Sequence, residues 1–152
     1  MPESQPQPTQ EPRTVVVEGP RSGFRTQVTI DRHRLTVDEP LPVGGTDAGP
    51  SPYEMLLAAL GSCTAMTLRL YADRKKWPLE RVVVKLRHRK VHAQDCVDCE
   101  HKPAKIDTID RVLELEGPLD EAQRAKLLEM SERCPVHQTL RSAIQVNTTL
   151  GQ

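Results

Sequence analysis

Two of the four cysteines stand where a thiol can do chemistry. Cys63 lies in the apolar stretch Leu60-Gly61-Ser62-Cys63-Thr64-Ala65-Met66. A free cysteine in such surroundings reads either as a small hydrophobe filling a core or as a nucleophile. The second reading carries a requirement, because burial raises a thiol pKa and the reactive form is the thiolate, so a cation must stand nearby. Cys134 immediately precedes Pro135 in Arg133-Cys134-Pro135-Val136-His137. If a helix starts there, its unpaired N–H groups and the positive end of its dipole lower the Cys134 pKa. The plainer alternative is a residue at a helix junction with no chemical task.

Other groups invite other chemistries. The segment His92-Ala93-Gln94-Asp95-Cys96-Val97-Asp98-Cys99-Glu100-His101 offers two thiols and two imidazoles, a donor set suited to zinc. It lacks a second cysteine pair and the spacing of a zinc finger, so a structural zinc at Cys96 and Cys99, a redox pair and an exposed loop all stay open. His137, three residues past Cys134, has the spacing to serve as base in a cysteine hydrolase, but no orienting acid accompanies it. The run Arg87-His88-Arg89-Lys90 is most simply the solvent face of a strand.

The elements that must position these groups follow from punctuation and period. Thr14 to Val17, Phe24 to Ile30 and Arg34 to Val37 are short β-branched runs, the first two separated by Gly19-Pro20-Arg21-Ser22-Gly23. They suggest a three-stranded antiparallel meander. A loop rich in proline and glycine runs from Asp38 to Pro52, and loops of that length tend to serve function. Ser51-Pro52-Tyr53-Glu54 is a helix start, with Ser51 as N-cap, Pro52 at the first helical position and Glu54 closing a capping box. The helix is expected to run to Pro78, its part from Met55 to Met66 buried all round, with Gly61 admitting the close approach of another backbone. Arg81 to His92 and Thr108 to Glu116 read as strands. Asp120 with Gln123 caps a helix through Arg133 with Leu127, Leu128 and Met130 inward, a short helix opens at Cys134-Pro135, and Ile144 to Leu150 alternates as a last strand. The fold class is α+β.

Composition narrows the partners. Lys plus Arg and Asp plus Glu each number 21, giving no net charge, and the four aromatic residues are Phe24, Tyr53, Tyr71 and Trp77. Neither an anionic membrane surface nor nucleic acid is favoured by that balance. Residues 1–13 hold four prolines and read as a disordered tail, leaving 14–152 as one domain. No uninterrupted apolar run approaches the ~18 residues of a membrane span, so a cytoplasmic chain with reduced thiols is expected.

The motifs Gly49-Pro50-Ser51-Pro52-Tyr53-Glu54-Met55-Leu56-Leu57-Ala58-Ala59-Leu60-Gly61-Ser62-Cys63 and Arg133-Cys134-Pro135-Val136-His137 resemble the two signatures of the OsmC/Ohr family of osmotically inducible and organic hydroperoxide resistance proteins. The resemblance spans about Val15 to Leu150. It implies an intertwined homodimer wrapped around long central helices, with each active site built from both subunits. It also implies a thiol-dependent peroxidase needing no cofactor, in which Cys63 attacks a small organic or hydrogen peroxide and Cys134 resolves the sulfenic acid as a disulfide. A dithiol or thioredoxin-like donor would then reduce that disulfide. The family places an assisting arginine in the N-terminal strands, and Arg21 matches the pattern better than Arg25. One departure is plain: Tyr53 stands where the hydroperoxide resistance branch has a glutamate, and Glu54 follows, which points to a divergent OsmC-like branch. The alternative function on the same fold is a non-catalytic redox sensor or a holder of a small apolar ligand.

Overall fold

The computed structural model describes residues 12–92 and 105–151. The expected tail therefore falls, up to residue 11, outside the described residues, as does the Cys96-x-x-Cys99 segment, for which a structural zinc is one of three open readings. The described residues form two compact units, divided between Glu54 and Met55.

The first unit is an antiparallel meander of β1 (Val15–Glu18), β2 (Thr26–Ile30) and β3 (His33–Val37) in the order β1-β2-β3. Val17 pairs with Val28, and Val28 with Leu35. The loop after β3 is organised by Asp38, a carboxylate only 2% exposed. It accepts hydrogen bonds from the Thr46 hydroxyl at 2.5 Å and from the backbone N–H groups of Glu39, Thr46 and Ala48 at 2.8, 3.1 and 3.2 Å. The Thr46 bond is the main reason its pKa falls to about 2, with the three N–H groups adding to it against the cost of burial. Gly49 is required here, since a Cβ would stand 2.1 Å from the Thr36 carbonyl oxygen.

The helix α1 (Pro52–Lys75) begins as expected. The Ser51 N–H donates to Glu54 Oε2 at 2.8 Å and the Glu54 N–H to Ser51 Oγ at 3.4 Å, so the capping box is complete. It ends where Lys76 turns to φ 55° and the Trp77 N–H closes back on the Ala72 carbonyl, two residues short of Trp77, the last position before Pro78.

In the second unit α1 is followed by the long ribbon of β4 (Arg81–His92) and β5 (Lys105–Glu116), then α2 (Glu121–Ser131) and α3 (Pro135–Arg141). The ribbon is antiparallel, with Val84 opposite Leu113 and Leu86 opposite Arg111. The core of this unit is Leu68, Ala72, Leu79, Leu119 and Leu127, with the Tyr71 and Trp77 rings packed against it and edge to face with each other. Asp120 caps α2 reciprocally with Gln123, at 2.7 and 3.0 Å.

Five expectations change. Leu128 is 61% exposed rather than inward, because the 100° step from the fully buried Leu127 carries it off the core face. Gly61 meets side chains and not a backbone: a Cβ there would lie 2.8 Å from Leu86 Cδ1 and 4.0 Å from Val84. Residues 143–151 form no strand, since the described chain offers them no ladder partner, and Ile144, Val146 and Leu150 are exposed. The front of α1 is covered only on the side of Leu60, Gly61 and Thr64, leaving Leu56 and Met66 exposed. Finally, α1 does have the length and composition of a membrane span, with an 18-residue window of mean hydropathy 1.3. Small and hydroxylated residues break its apolar run, which hid this from a reading of uninterrupted runs.

Candidate active site

Both cysteines singled out in the sequence belong to the second unit, and the fold brings them together. Cys63 is half-buried on α1, one residue before the buried Thr64; Cys134 is the N-cap of α3 and fully buried. Neither is in a disulfide, and the two thiols are near enough for each to shift the other's pKa. The chain reaches Cys134 through a tight exit from α2, where the Glu132 and Arg133 N–H groups close on the Glu129 and Met130 carbonyls. Pro135 then supplies the first helical residue with the φ it already prefers.

Their surroundings drive the two thiols in opposite directions. Burial pushes the Cys63 thiol up, and the neighbouring Cys134 sulfur pushes it further; the Val136 N–H and the Thr67 hydroxyl act the other way without prevailing. Burial also works against a Cys134 thiolate. Here, however, it is outweighed by donors: the His137 N–H at 3.4 Å from Sγ, the Cys63 thiol, the Thr64 hydroxyl at 3.9 Å and the Val136 N–H. The net shift at Cys134 is downward. The pair thus holds its first negative charge on Cys134 while Cys63 keeps its proton.

A residue that the sequence reading passed over sits behind this pair. Arg111, half-buried on β5, donates from Nη1 to Thr64 Oγ1 at 3.0 Å and from Nη2 to Ser131 Oγ and His137 Nδ1, each at 3.3 Å. Thr64 Oγ1 in turn donates its single proton toward the Leu60 carbonyl at 2.7 Å or the more distant Cys134 sulfur. Ser131, itself buried, donates to the Leu128 carbonyl at 2.6 Å. Because His137 Nδ1 accepts from a guanidinium, its ring proton is on Nε2 and the ring is neutral. Burial and the charge of Arg111 both lower the His137 pKa, against an opposing pull from Glu132. His137 therefore serves Cys134 through its backbone N–H, and its ring faces Arg111. One signal of Arg111 existed in the sequence, a cation on the alternating strand between Ile109 and Leu113, where an apolar residue is expected.

Arg21 and Arg25, the arginines expected to assist, lie in the first unit and are exposed. Glu54 is engaged in helix capping. Among the described residues no group of three metal-ligating side chains converges.

Residues 45–149, more than half of the chain, match the family described as OsmC-like protein. The chain belongs to the OsmC-like protein family. Solved structures carry the same fold at low identity. The OsmC-like protein of Mycoplasma pneumoniae superposes with a TM-score of 0.66 at 19% identity, covering 87% of this chain and 89% of that one. The organic hydroperoxide resistance protein OsmC of Legionella pneumophila gives 0.64 at 18%, covering 87% and 90%. The organic hydroperoxide resistance protein OhrB of Bacillus subtilis gives 0.60 at 16%, covering 86% and 91%. No curated protein matches the chain in sequence.

Proposed function

We propose that this OsmC-like protein is a thiol-dependent peroxidase in which Cys63 attacks the peroxide and Cys134 resolves the product. The observation that carries the reading is a half-buried thiol on α1 close enough to a fully buried, acidified thiol at the start of α3 for each to shift the other's pKa. Solvent reaches Cys63, so a small peroxide meets that sulfur first. Cys134 is the sulfur better able to carry charge, and in accepting the Cys63 proton it leaves a Cys63 thiolate. That thiolate attacks the O–O bond; an S–O bond forms, the O–O bond breaks, and an alkoxide leaves. The alkoxide takes the transferred proton from Cys134, which becomes a thiolate again and attacks the Cys63 sulfenic acid; an S–S bond forms, the S–O bond breaks, and the departing hydroxide takes a proton from solvent to leave as water. A dithiol or thioredoxin-like donor returns two electrons and two protons.

In this reading Arg21 favours the Cys63 thiolate and the charge developing on the leaving oxygen. In this reading the functional unit is a homodimer of a cytoplasmic protein. The bare side of α1 at Leu56, Met66 and Leu70, and the unpaired alternating segment at Ile144 and Val146, supply the apolar surface a second copy would cover. Peroxide consumption, measured for several peroxides with and without a dithiol, tests the proposal. Catalytic turnover with dithiol is expected. One equivalent consumed and no recycling would instead mark a redox sensor on the same thiols.

A further inference from the structure

Beside the thiol pair the second unit holds a cavity of about 500 Å³, within the ~300–1,000 Å³ typical of small-molecule sites. Leu60, Ile109, Leu113, Leu128 and Leu140 give it apolar walls, and Arg111 and Arg141 bring charge to it. Neither arginine makes an ion pair with any described residue. Arg111 spends three of its five N–H donors on neutral acceptors, the two hydroxyls and the imidazole, which leaves two donors and an uncompensated charge. Arg141 makes no side-chain hydrogen bond among the described residues. Two carboxylates also line the cavity. Asp107 is taken up by His88 at 2.8 Å and Lys90 at 3.7 Å, so Glu132 alone remains to face two guanidiniums.

A half-buried cation without a counter-ion is costly unless something supplies the missing charge. The apolar walls meanwhile leave Leu128 largely open to the space in front of them. From these features we infer that the cavity is a binding site for a monocarboxylate bearing a short hydrocarbon chain, its carboxylate on Arg111 and its chain along Leu128, Leu140 and Ile109. Cys63 and Cys134 do not line the cavity. The site goes beyond the peroxidase reading and stands without it, because it uses no thiol chemistry.

Calorimetric titration of the reduced full-length protein with octanoate, octanol and octylamine near neutral pH tests the assignment. Octanoate is expected to bind at least about tenfold more tightly than octanol, as a charge-assisted bond to a partly desolvated arginine implies. Octylamine should bind least. Affinity should rise about fourfold per methylene from hexanoate to octanoate. Arg111→Gln should lose tenfold or more, with Arg111→Lys retaining part of the affinity. Arg141→Gln and Leu128→Ser, both on exposed side chains, should each weaken octanoate severalfold and decide the matter if Arg111→Gln does not fold. Equal binding of octanol, no octanoate binding, or unchanged affinity in Arg141→Gln and Leu128→Ser would overturn the site. Cys63→Ser should bind octanoate normally, so an inert peroxidase with intact binding separates this inference from the previous one.

Discussion

Cys63 and Cys134 are the same chemical group placed at different points along a helix, one in the interior of α1 and the other at the N-cap of α3. In the interior the N–H groups of α1 itself are committed to the carbonyls four residues back, so burial of Cys63 is offset only by the Val136 N–H and the Thr67 hydroxyl, which do not prevail. At the N-cap the first N–H groups have no carbonyl to bond, and they turn to the sulfur. Cys134 is the more deeply buried of the two and yet the more acidic. Donors, and not exposure, decide which sulfur carries charge. Asp38 in the first unit repeats the lesson, as a buried carboxylate held ionised by a hydroxyl and three backbone N–H groups.

The comparison can be broken most directly by titrating the thiolate ultraviolet absorbance of the reduced protein. A first thiolate is expected to form below the ordinary cysteine range of ~8.5, and that step should vanish in Cys134→Ser. In Cys63→Ser it should persist, because most of its donors remain. A first step that disappears in Cys63→Ser instead would reverse the assignment of charge.

A smaller effect is expected from Thr64→Val, which keeps the shape of the side chain but removes the hydroxyl shared by Arg111 and Cys134. The half-buried guanidinium loses an acceptor, costing about 1–3 kcal/mol in urea unfolding, and the thiolate step should move upward. An unchanged titration would remove Thr64 from the set of donors that matter.

The smallest effect belongs to His137. Its folded-state pKa lies below the unfolded value of 6.5, so the unfolded chain binds the proton more readily. The resulting stability is fully present above pH 6.5 and is lost as pH falls through that value toward the folded pKa. His137→Gln should flatten this slope of the unfolding midpoint against pH. A slope that persists in the variant would assign it to another group.

How much of this was legible in the sequence depends on whether the signal was local. The capping box at Ser51 and Glu54, the Asp120 cap, the Cys134-Pro135 start of α3 and the five strands among the described residues follow from residues within a few positions of each other. The meeting of Cys63 with Cys134 was legible only through the resemblance to a family, since no local pattern brings α1 onto α3. Arg111 was missed because a cation on a strand resembles any other solvent-facing charge until the ribbon register sets it opposite Leu86, on the side facing the helices. The failed strand at Ile144 to Leu150 shows the converse: the alternation is real, but a strand also needs a neighbour to bond, and the described chain supplies none.

Whether Cys63 meets the peroxide and Cys134 only resolves it is decided by a single-turnover measurement on the two serine variants. Reduced Cys134→Ser, mixed with one equivalent of peroxide, is expected to consume it and to accumulate sulfenic or sulfinic acid at Cys63, detected by mass spectrometry of the intact protein and its peptides. Cys63→Ser is expected to consume none. If Cys134→Ser proves inert while Cys63→Ser still reacts, the acidified sulfur at the start of α3 is itself the nucleophile and the roles proposed for the two thiols are wrong.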